Sequence, residues 1–342
     1  MRVLRFLTAV SIWIAFAVVL GDLAALRWVG ERHWLTTVDL YLPHGLLLVP
    51  LGLLALAALV FGPRRLFVVL AAAVLVVLFP IMGLHVGGPA ASFATPHLRI
   101  LTYNVDGGRE SLPEIVKEIQ EIAPDVVLFQ ENGAAVGDAV AAALPGFQTR
   151  AVSQFFVASR YPILETFAPP KIPHLGHERS PKFMSYVLDT PLGRLTVFNV
   201  HPISPRDGFE DIRGSGLRAE LESGRVFSGD RHNLIDNTRL RRLQVEAIAE
   251  RARSVEGPVL IAGDTNLPGG SRILADNLGG FQDAFAEVGS GFGYTYPSNR
   301  KVAWMRIDRI LAGPGLRFTR AEVGTRHGSD HYCLYADVEK TP

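Results

Sequence analysis

The stretch PVLIAGDTN (258–266) places a short apolar run directly before the polar residues Asp264 and Asn266. A run of this length, bounded by Gly and Pro, is typical of a strand buried in a sheet. Its polar residues therefore come where the strand ends. A single Asp after a strand is more often a turn former or a helix cap. The stretch therefore indicates a functional site only if the rest of the chain shows the same pattern.

The same arrangement recurs on both sides of this stretch. Short apolar runs end in, contain or precede side chains that can bind cations or transfer protons. The residues concerned are Asn104, Asp106, Glu131, Asn199, His201, Asp264, Asn266, Asp308, Ser329, Asp330 and His331. Because strand ends packed side by side can meet at one edge of a sandwich, we expect these groups to converge.

The order of strand-like and helix-like segments predicts an α/β sandwich. Strands are predicted at 98–105, 125–130, 183–190, 194–201, 258–264, 305–311 and 331–338, with 191–193 as a hairpin turn. A helix is predicted after Ser111, with Ser111 and Glu114 as a capping box, and another at 238–253. The long polar stretch 202–236 is either functional or disordered.

The polar set consists of carboxylates, amides, a hydroxyl and two histidines. Cys333 is the only cysteine, which excludes intrachain disulfides and a zinc cluster built from thiolates. Oxygen-rich sets suit Mg²⁺ or Mn²⁺, and these ions serve phosphate chemistry by neutralising oxygens. Taken singly, each histidine on a strand is more often structural. Tyr294, Tyr296 and Trp304 either line the substrate side or pack in the core.

Seven short motifs, in order, carry a family resemblance: LTYNVDG, LFQE, ASRYPI, FNVHP, IAGDTN, RIDRI and GSDHY, spread over residues 98–338. In these motifs the chain resembles the endonuclease/exonuclease/phosphatase superfamily, which has the deoxyribonuclease-I-like fold. The resemblance implies a four-layer α/β sandwich with the site at one end of two packed sheets.

The resemblance also implies roles for individual residues. Glu131 is implied as the principal metal ligand with Asn104 beside it, and Asp106 and Asp330 as further metal or phosphate-site groups. Asp264 and Asn266 would orient or deprotonate the attacking water, and Asp308 would fix the tautomer of His331. The phosphate contacts would be Asn199, Ser329 and His201, with His201 also a candidate general acid. The identity of the general base stays open.

Three apolar segments precede these motifs, each about as long as a membrane crossing requires. They are Phe6–Leu26, Leu42–Phe61 and Leu66–Leu84. Asp22 interrupts the first, and the alternatives are a signal peptide for that segment and buried core helices for the others. We predict a three-helix transmembrane domain at 1–85, a linker at 86–97 and a catalytic domain at 98–342.

Orientation follows from the basic residues of the loops. Arg2 and Arg5 precede the first segment, and Arg64 and Arg65 lie between the second and the third. Loops rich in Lys and Arg stay in the cytoplasm, so three crossings would place the catalytic domain outside it.

Charge weighs against a dedicated nucleic-acid binder. Residues 1–96 contain six Lys or Arg and three Asp or Glu, and subtracting them from 34 and 33 leaves 28 basic and 30 acidic residues. Non-specific nucleic-acid binders usually carry a clear positive excess. Arg239, Arg241 and Arg242 open the predicted helix as either a solvated face or a patch for phosphate or lipid headgroups.

The sequence therefore predicts a membrane-anchored, Mg²⁺- or Mn²⁺-dependent phosphoesterase. Its expected substrate is a phosphate ester or anhydride, preferably linked to a lipid of the bilayer that anchors the chain. One alternative is a membrane-anchored endonuclease or exonuclease, which would need a basic groove. The other is a catalytically inactive binding module, which would lack site residues that this chain retains.

Overall fold

The computed structural model describes residues 1–62, 64–87, 96–212 and 232–341. The chain divides into two compact units. Unit 1 comprises Met1–Val86, Pro268–Arg272 and Ser290–Phe292, and unit 2 comprises Gly87–Leu267, Ile273–Gly289 and Gly293–Pro342. Most of the predicted linker lies outside the described residues.

Unit 1 is helical. Its helices are α1 (Arg2–Ala24), α2 (Trp34–Leu40), α3 (Leu48–Phe61) and α4 (Leu66–Val76). Large apolar side chains such as Trp13, Leu59 and Val68 remain more than half exposed, which suits a lipid environment better than water. Asp22, the residue that interrupts the first apolar segment, groups with Asp39 and His44.

The prediction of three crossings was wrong. Two helical stretches are long and apolar enough to span a membrane, Arg2–Arg32 with 31 residues and His44–Phe61 with 18. The third stretch, Leu66–Ile81, ends in a π-helical turn containing Pro80. It rises roughly 24 Å, against a hydrocarbon core of about 30 Å. Because the orientation argument required three crossings, placement of the catalytic domain outside the cytoplasm loses that support.

Unit 2 contains two six-stranded mixed sheets. Its strands are β1 (His97–Asn104), β2 (Val126–Gln130), β3 (Gln148–Val152), β4 (Phe155–Ser159), β5 (Ile163–Phe167), β6 (Ile172–His174), β7 (His177–Arg179), β8 (Phe183–Thr190), β9 (Gly193–Val200), β10 (Val259–Asp264), β11 (Gln282–Asp283), β12 (Asp308–Ala312), β13 (Leu316–Val323) and β14 (Leu334–Lys340). The first sheet has the order β13-β14-β1-β2-β4-β3 and the second β11-β12-β10-β9-β8-β5, while β6 and β7 pair separately.

The two sheets pack face to face through apolar side chains. Leu98 and Ile100 of β1 meet Tyr186, Val197 and Leu260 of the second sheet in one buried cluster. The helices are α5 (Leu112–Ile122), α6 (Ala134–Ala143), α7 (His232–Arg253), α8 (Arg272–Leu278) and α9 (Ala284–Val288). Helices α5 and α6 cover the outer face of the first sheet, and α7 and α8 that of the second. The predicted α/β sandwich is confirmed.

Most predicted elements are confirmed within a few residues, but the capping box is wrong. The predicted hairpin forms, with Thr190 paired to Gly193 across the turn. Helix α5 begins at Leu112, yet the Ser111 side chain makes no cap hydrogen bond. Pro113 removes one N–H donor from the first turn. Glu114 is engaged elsewhere, by Arg326 at 2.7 Å.

The arginines at the start of α7 do not form one exposed basic face. Arg239 is exposed and Arg242 half-buried, but Arg241 is fully buried. The Arg241 Nη1 donates to the carbonyl of Ile203 at 3.4 Å, so this arginine ties α7 to the segment after β9. The interpretation of the three arginines as a single headgroup patch is therefore wrong. Residues 213–231 of the predicted 202–236 loop lie outside the described part of the chain.

Candidate active site

Two parallel strand pairs bring the predicted residues to one edge of unit 2. In the first sheet, β1 and β2 run parallel, so Asn104 lies beside Gln130 and Glu131 follows directly. In the second sheet, β9 and β10 run parallel and β12 is antiparallel, which sets Asp264 opposite Asp308. The carboxyl ends of parallel strands meet at one edge, as the sequence pattern indicated.

One side chain joins the two sheets at this edge. The Asn104 Nδ2 donates to Glu131 Oε1 and to Asp264 Oδ2, both at 3.1 Å. Glu131 has φ of 51°, a conformation uncommon outside glycine and often found at functional sites. Its side chain is 40% exposed, whereas that of Asp264 is 2% exposed. The site therefore combines an accessible carboxylate with a buried one.

His331 lies on one side of Asp264 and is held by a second carboxylate. Its Nδ1 donates to Asp308 Oδ2 at 2.8 Å, and its Nε2 lies 3.7 Å from Asp264 Oδ2. Burial lowers the pKa of His331, but the charges of Asp308 and Asp264 outweigh burial and raise the pKa to about 10. Burial also raises the pKa of Asp264, against the opposing charge of His331. His331 is therefore a cation at neutral pH.

His201 lies on the other side of Asp264 and is held by an amide. Its Nδ1 donates to Gln154 Oε1 at 2.8 Å, and its Nε2 lies 3.5 Å from both Glu131 Oε1 and Asp264 Oδ2. Burial lowers the pKa of His201 to about 3, and nearby Lys182 contributes. His201 is therefore neutral at physiological pH.

Asp106 and Asp330 add negative charge at the same edge. Burial and the charges of Asp330 and Glu131 raise the pKa of Asp106, although Arg109 opposes them from 2.8 Å. Ser329 Oγ is within 3.4 Å of Asp330 Oδ1. Carboxylates that repel one another in this way are stabilised by a shared cation.

These donors fit a hard divalent cation. Glu131, Asn104, Asp106 and Asp330 offer carboxylate and amide oxygens, the ligands that Mg²⁺ and Mn²⁺ prefer. Among the described residues, no three of the His, Cys, Asp or Glu side chains at this edge place their ligand atoms within 4.8 Å of one another.

Three predicted residues, Asn199, Ser329 and Asn266, position their neighbours. Asn199 is fully buried, and its amide is engaged by Phe129, Phe156 and Gln130 in bonds that cross between the sheets. It therefore does not face a phosphate, and that predicted role is wrong. Ser329 Oγ donates to the Asn104 carbonyl at 2.7 Å and is buried, so it too braces the site.

Asn266 orients Asp264. Its backbone N–H donates to Asp264 Oδ1 at 2.8 Å, and its Nδ2 donates to the Pro202 carbonyl at 3.0 Å. Asn266 has φ of 52°. Gly263 is also required here, because a Cβ at that position would collide with the Val200 carbonyl of the parallel strand. The GDTN motif is thus a tight turn that fixes one carboxylate.

The sequence motifs did not reveal two residues of this edge. Gln154 lies in the turn between β3 and β4, where nothing in its neighbours distinguishes it from a surface polar residue. Arg206 lies in the polar stretch after His201, whose length was its only signal. Tyr296, left open between site and core, has its ring 4.8 Å from that of His331.

Comparison with known proteins agrees with this fold. The sequence profile of the Endonuclease/Exonuclease/phosphatase family matches residues 101–331. A family protein from Bacteroides thetaiotaomicron is similar in structure, with a TM-score of 0.52, 16% identity, and 72% of this chain and 98% of that chain covered. One from Bacteroides vulgatus has a TM-score of 0.51, 16% identity, and 72% and 100% covered. No protein of curated function matches the sequence.

Proposed function

Because the chain belongs to the endonuclease/exonuclease/phosphatase family, we propose that it is a divalent-metal-dependent phosphoesterase with its catalytic centre at Asp264. One observation carries the proposal. Asp264 is held between Asn104, Asn266 and two histidines, one cationic and one neutral, while Glu131 stays accessible beside it. This arrangement combines a buried carboxylate of raised pKa, which can accept a proton from water, with a neighbouring cation, which can stabilise developing negative charge.

The residues divide the chemistry between them. Asp264, oriented by Asn266, accepts the proton of the attacking water, because a raised pKa makes a carboxylate a better base. His331, kept cationic by Asp308, donates hydrogen bonds to the negative charge that develops on the phosphoryl group. A Mg²⁺ or Mn²⁺ ion at Glu131 and Asn104 would neutralise phosphate oxygens. Neutral His201 lies beside Glu131, with its Nε2 3.5 Å from Glu131 Oε1.

The substrate is proposed to be a lipid-linked phosphate. The apolar helices of unit 1 would tether the chain to a bilayer. A site so tethered meets membrane-borne phosphates more often than soluble ones. The slight negative balance of residues 97–342 gives no electrostatic advantage to DNA.

The test uses the full chain in detergent micelles. We expect turnover of a lipid phosphate with Mg²⁺ or Mn²⁺, loss in EDTA, and recovery when either ion is added back. Glu131→Gln should remove activity in all conditions while leaving the fold intact. Full activity in EDTA would exclude the metal mechanism, and a tenfold or greater preference for DNA over lipid phosphate would establish the nuclease alternative.

The side of the membrane requires a separate measurement. Two crossings would leave both ends of the chain on the same side, whereas the notional third crossing would separate them. A reporter active only after export, fused to the C-terminus, decides between these arrangements. Activity of that reporter would support extracytoplasmic placement, and silence with a matched cytoplasmic reporter active would exclude it.

A further inference from the structure

Arg206 lies at the edge of the catalytic centre, five residues after His201. Its Nη2 donates to the Tyr296 hydroxyl at 3.2 Å and lies 3.9 Å from Asp330 Oδ2. Its side chain is 65% exposed. An exposed guanidinium packed against a site residue contributes little to the core and is accessible to a ligand.

The segment that carries Arg206 is held in place by polar contacts. The Ile203 N–H donates to Gln244 Oε1 at 2.7 Å, and Asn237 Nδ2 donates to the Ser204 carbonyl at 2.9 Å. Asn266 reaches the Pro202 carbonyl from the catalytic turn. These bonds fix the backbone from 202 to 204, so Arg206 extends from an anchored base toward Tyr296.

Tyr296 connects Arg206 to the catalytic histidine. The Tyr296 ring lies 4.8 Å from the His331 ring, and its hydroxyl receives the Arg206 hydrogen bond. The Arg206 guanidinium and the His331 ring are therefore separated by one aromatic ring at the edge of the site. The exposed guanidinium, a permanent cation at this edge, favours a ligand that carries negative charge.

We propose that Arg206 determines substrate specificity by binding nonbridging oxygens of a terminal phosphate, so that the protein selects phosphomonoesters over phosphodiesters; this inference rests on the proposed function. A monoester phosphate carries three nonbridging oxygens and a charge near −2 at neutral pH, because its second pKa is about 6. A diester has two such oxygens and one charge. The planar guanidinium matches phosphate oxygens with two parallel donors, which an ammonium does not.

The test compares two substrates with the same leaving group, p-nitrophenyl phosphate and bis(p-nitrophenyl) phosphate. For Arg206→Ala in the full chain, kcat/KM on the monoester should fall roughly 10- to 100-fold, the loss expected for a charge-assisted contact. The diester value should fall about threefold or less on the same reasoning. Arg206→Lys should lie between, and exposed Arg194→Ala, at the opposite end of β9, should match the wild type.

Two outcomes overturn the inference. Equal losses on the two substrates, or a larger loss on the diester, would show that Arg206 does not read the terminal phosphate. Unchanged binding of inorganic phosphate in Arg206→Ala, measured by calorimetry, would do the same. A wild type that hydrolyses neither p-nitrophenyl substrate nor a lipid phosphate, but binds inorganic phosphate through Arg206, would refute the proposed function and retain the phosphate contact.

Discussion

His201 and His331 flank the same carboxylate and differ in charge because of what holds their other nitrogen. On the His331 side, Nδ1 donates to a buried carboxylate, and the pKa rises to about 10 although burial lowers it. On the His201 side, Nδ1 donates to an uncharged amide, and burial lowers the pKa to about 3. The partner residue, one contact away from the reaction, therefore decides which histidine is the cation.

The largest effect is expected from removing the cationic side. His331→Ala should lower kcat by about 100-fold or more, because it deletes a charge that stabilises the transition state. KM should change little, since that contact strengthens only as charge develops. Steady-state kinetics on the full chain measures both, with exposed His177→Ala as the control. A wild-type kcat would remove His331 from the mechanism.

The second prediction changes Asp308, the residue that holds His331 and raises its pKa. In the wild type, activity should decline as pH rises through about 10, where His331 loses its proton. Asp308→Asn keeps the shape of the partner but removes its charge, so the pKa of His331 should fall. The alkaline limb of the pH–rate profile should then move down by about two units or more. An unmoved limb would show that another group controls it.

The third prediction makes the two sides alike. Gln154→Glu sets a carboxylate at His201 Nδ1, which should raise the pKa of His201 and make it cationic. A second cation near Glu131 would compete with a metal ion, so the Mg²⁺ concentration for half-maximal activity should rise by roughly tenfold. Gln154→Met, which removes the acceptor without adding charge, is the matched control. If both variants need the same Mg²⁺, the neutrality of His201 has no bearing on the metal site.

The sequence located the strand-end residues because position at the end of a buried strand is a local property. Asp264, Asp308 and His331 converge as expected from that pattern. The sequence pattern could not show which side chains form hydrogen bonds across the two sheets. Asn199 has the same local pattern as His201, yet its amide faces inward and bonds to Phe129 and Phe156. The role of Gln154 is evident only in the structure, where the β3–β4 turn places its Oε1 at 2.8 Å from His201 Nδ1.

The prediction that the third apolar segment crosses the membrane was wrong for a related reason. Composition alone predicted a crossing from Leu66 to Leu84, but composition does not report where a helix stops. The structure ends regular α-helix at Val76 and continues through a π-helical turn that contains Pro80. The stretch is too short to qualify as a crossing because helical structure ends at Ile81, and a hydropathy count does not report where a helix ends.

The last expected effect concerns stability, and it follows from the same difference between the histidines. The pKa of His201 is lower in the folded state than in the unfolded chain, where it is about 6.5. As pH falls from about 6.5 toward 3, the unfolded chain binds a proton that the folded chain does not, so stability is lost. His331 behaves oppositely, since its stabilising contribution is present below about 6.5 and is lost as pH rises through about 10.

Replacing His201 by Gln should therefore flatten the acid side of the stability profile. Between pH 7 and pH 5, the wild type should lose about 2 kcal/mol more unfolding free energy than His201→Gln, because a group of pKa 6.5 in the unfolded chain takes up most of one proton there. Cys333, the single cysteine and fully buried in unit 2, provides the readout. Its labelling by a dithiodipyridine, which reacts at both pH values, follows the opening of this unit in urea without interference from the helices of unit 1. Exposed His177→Gln should follow the wild type at both pH values. Equal pH dependence in the wild type and His201→Gln would mean that His201 binds its proton as readily in the folded protein as in the unfolded chain, and the contrast between the two histidines would then reside in His331 alone.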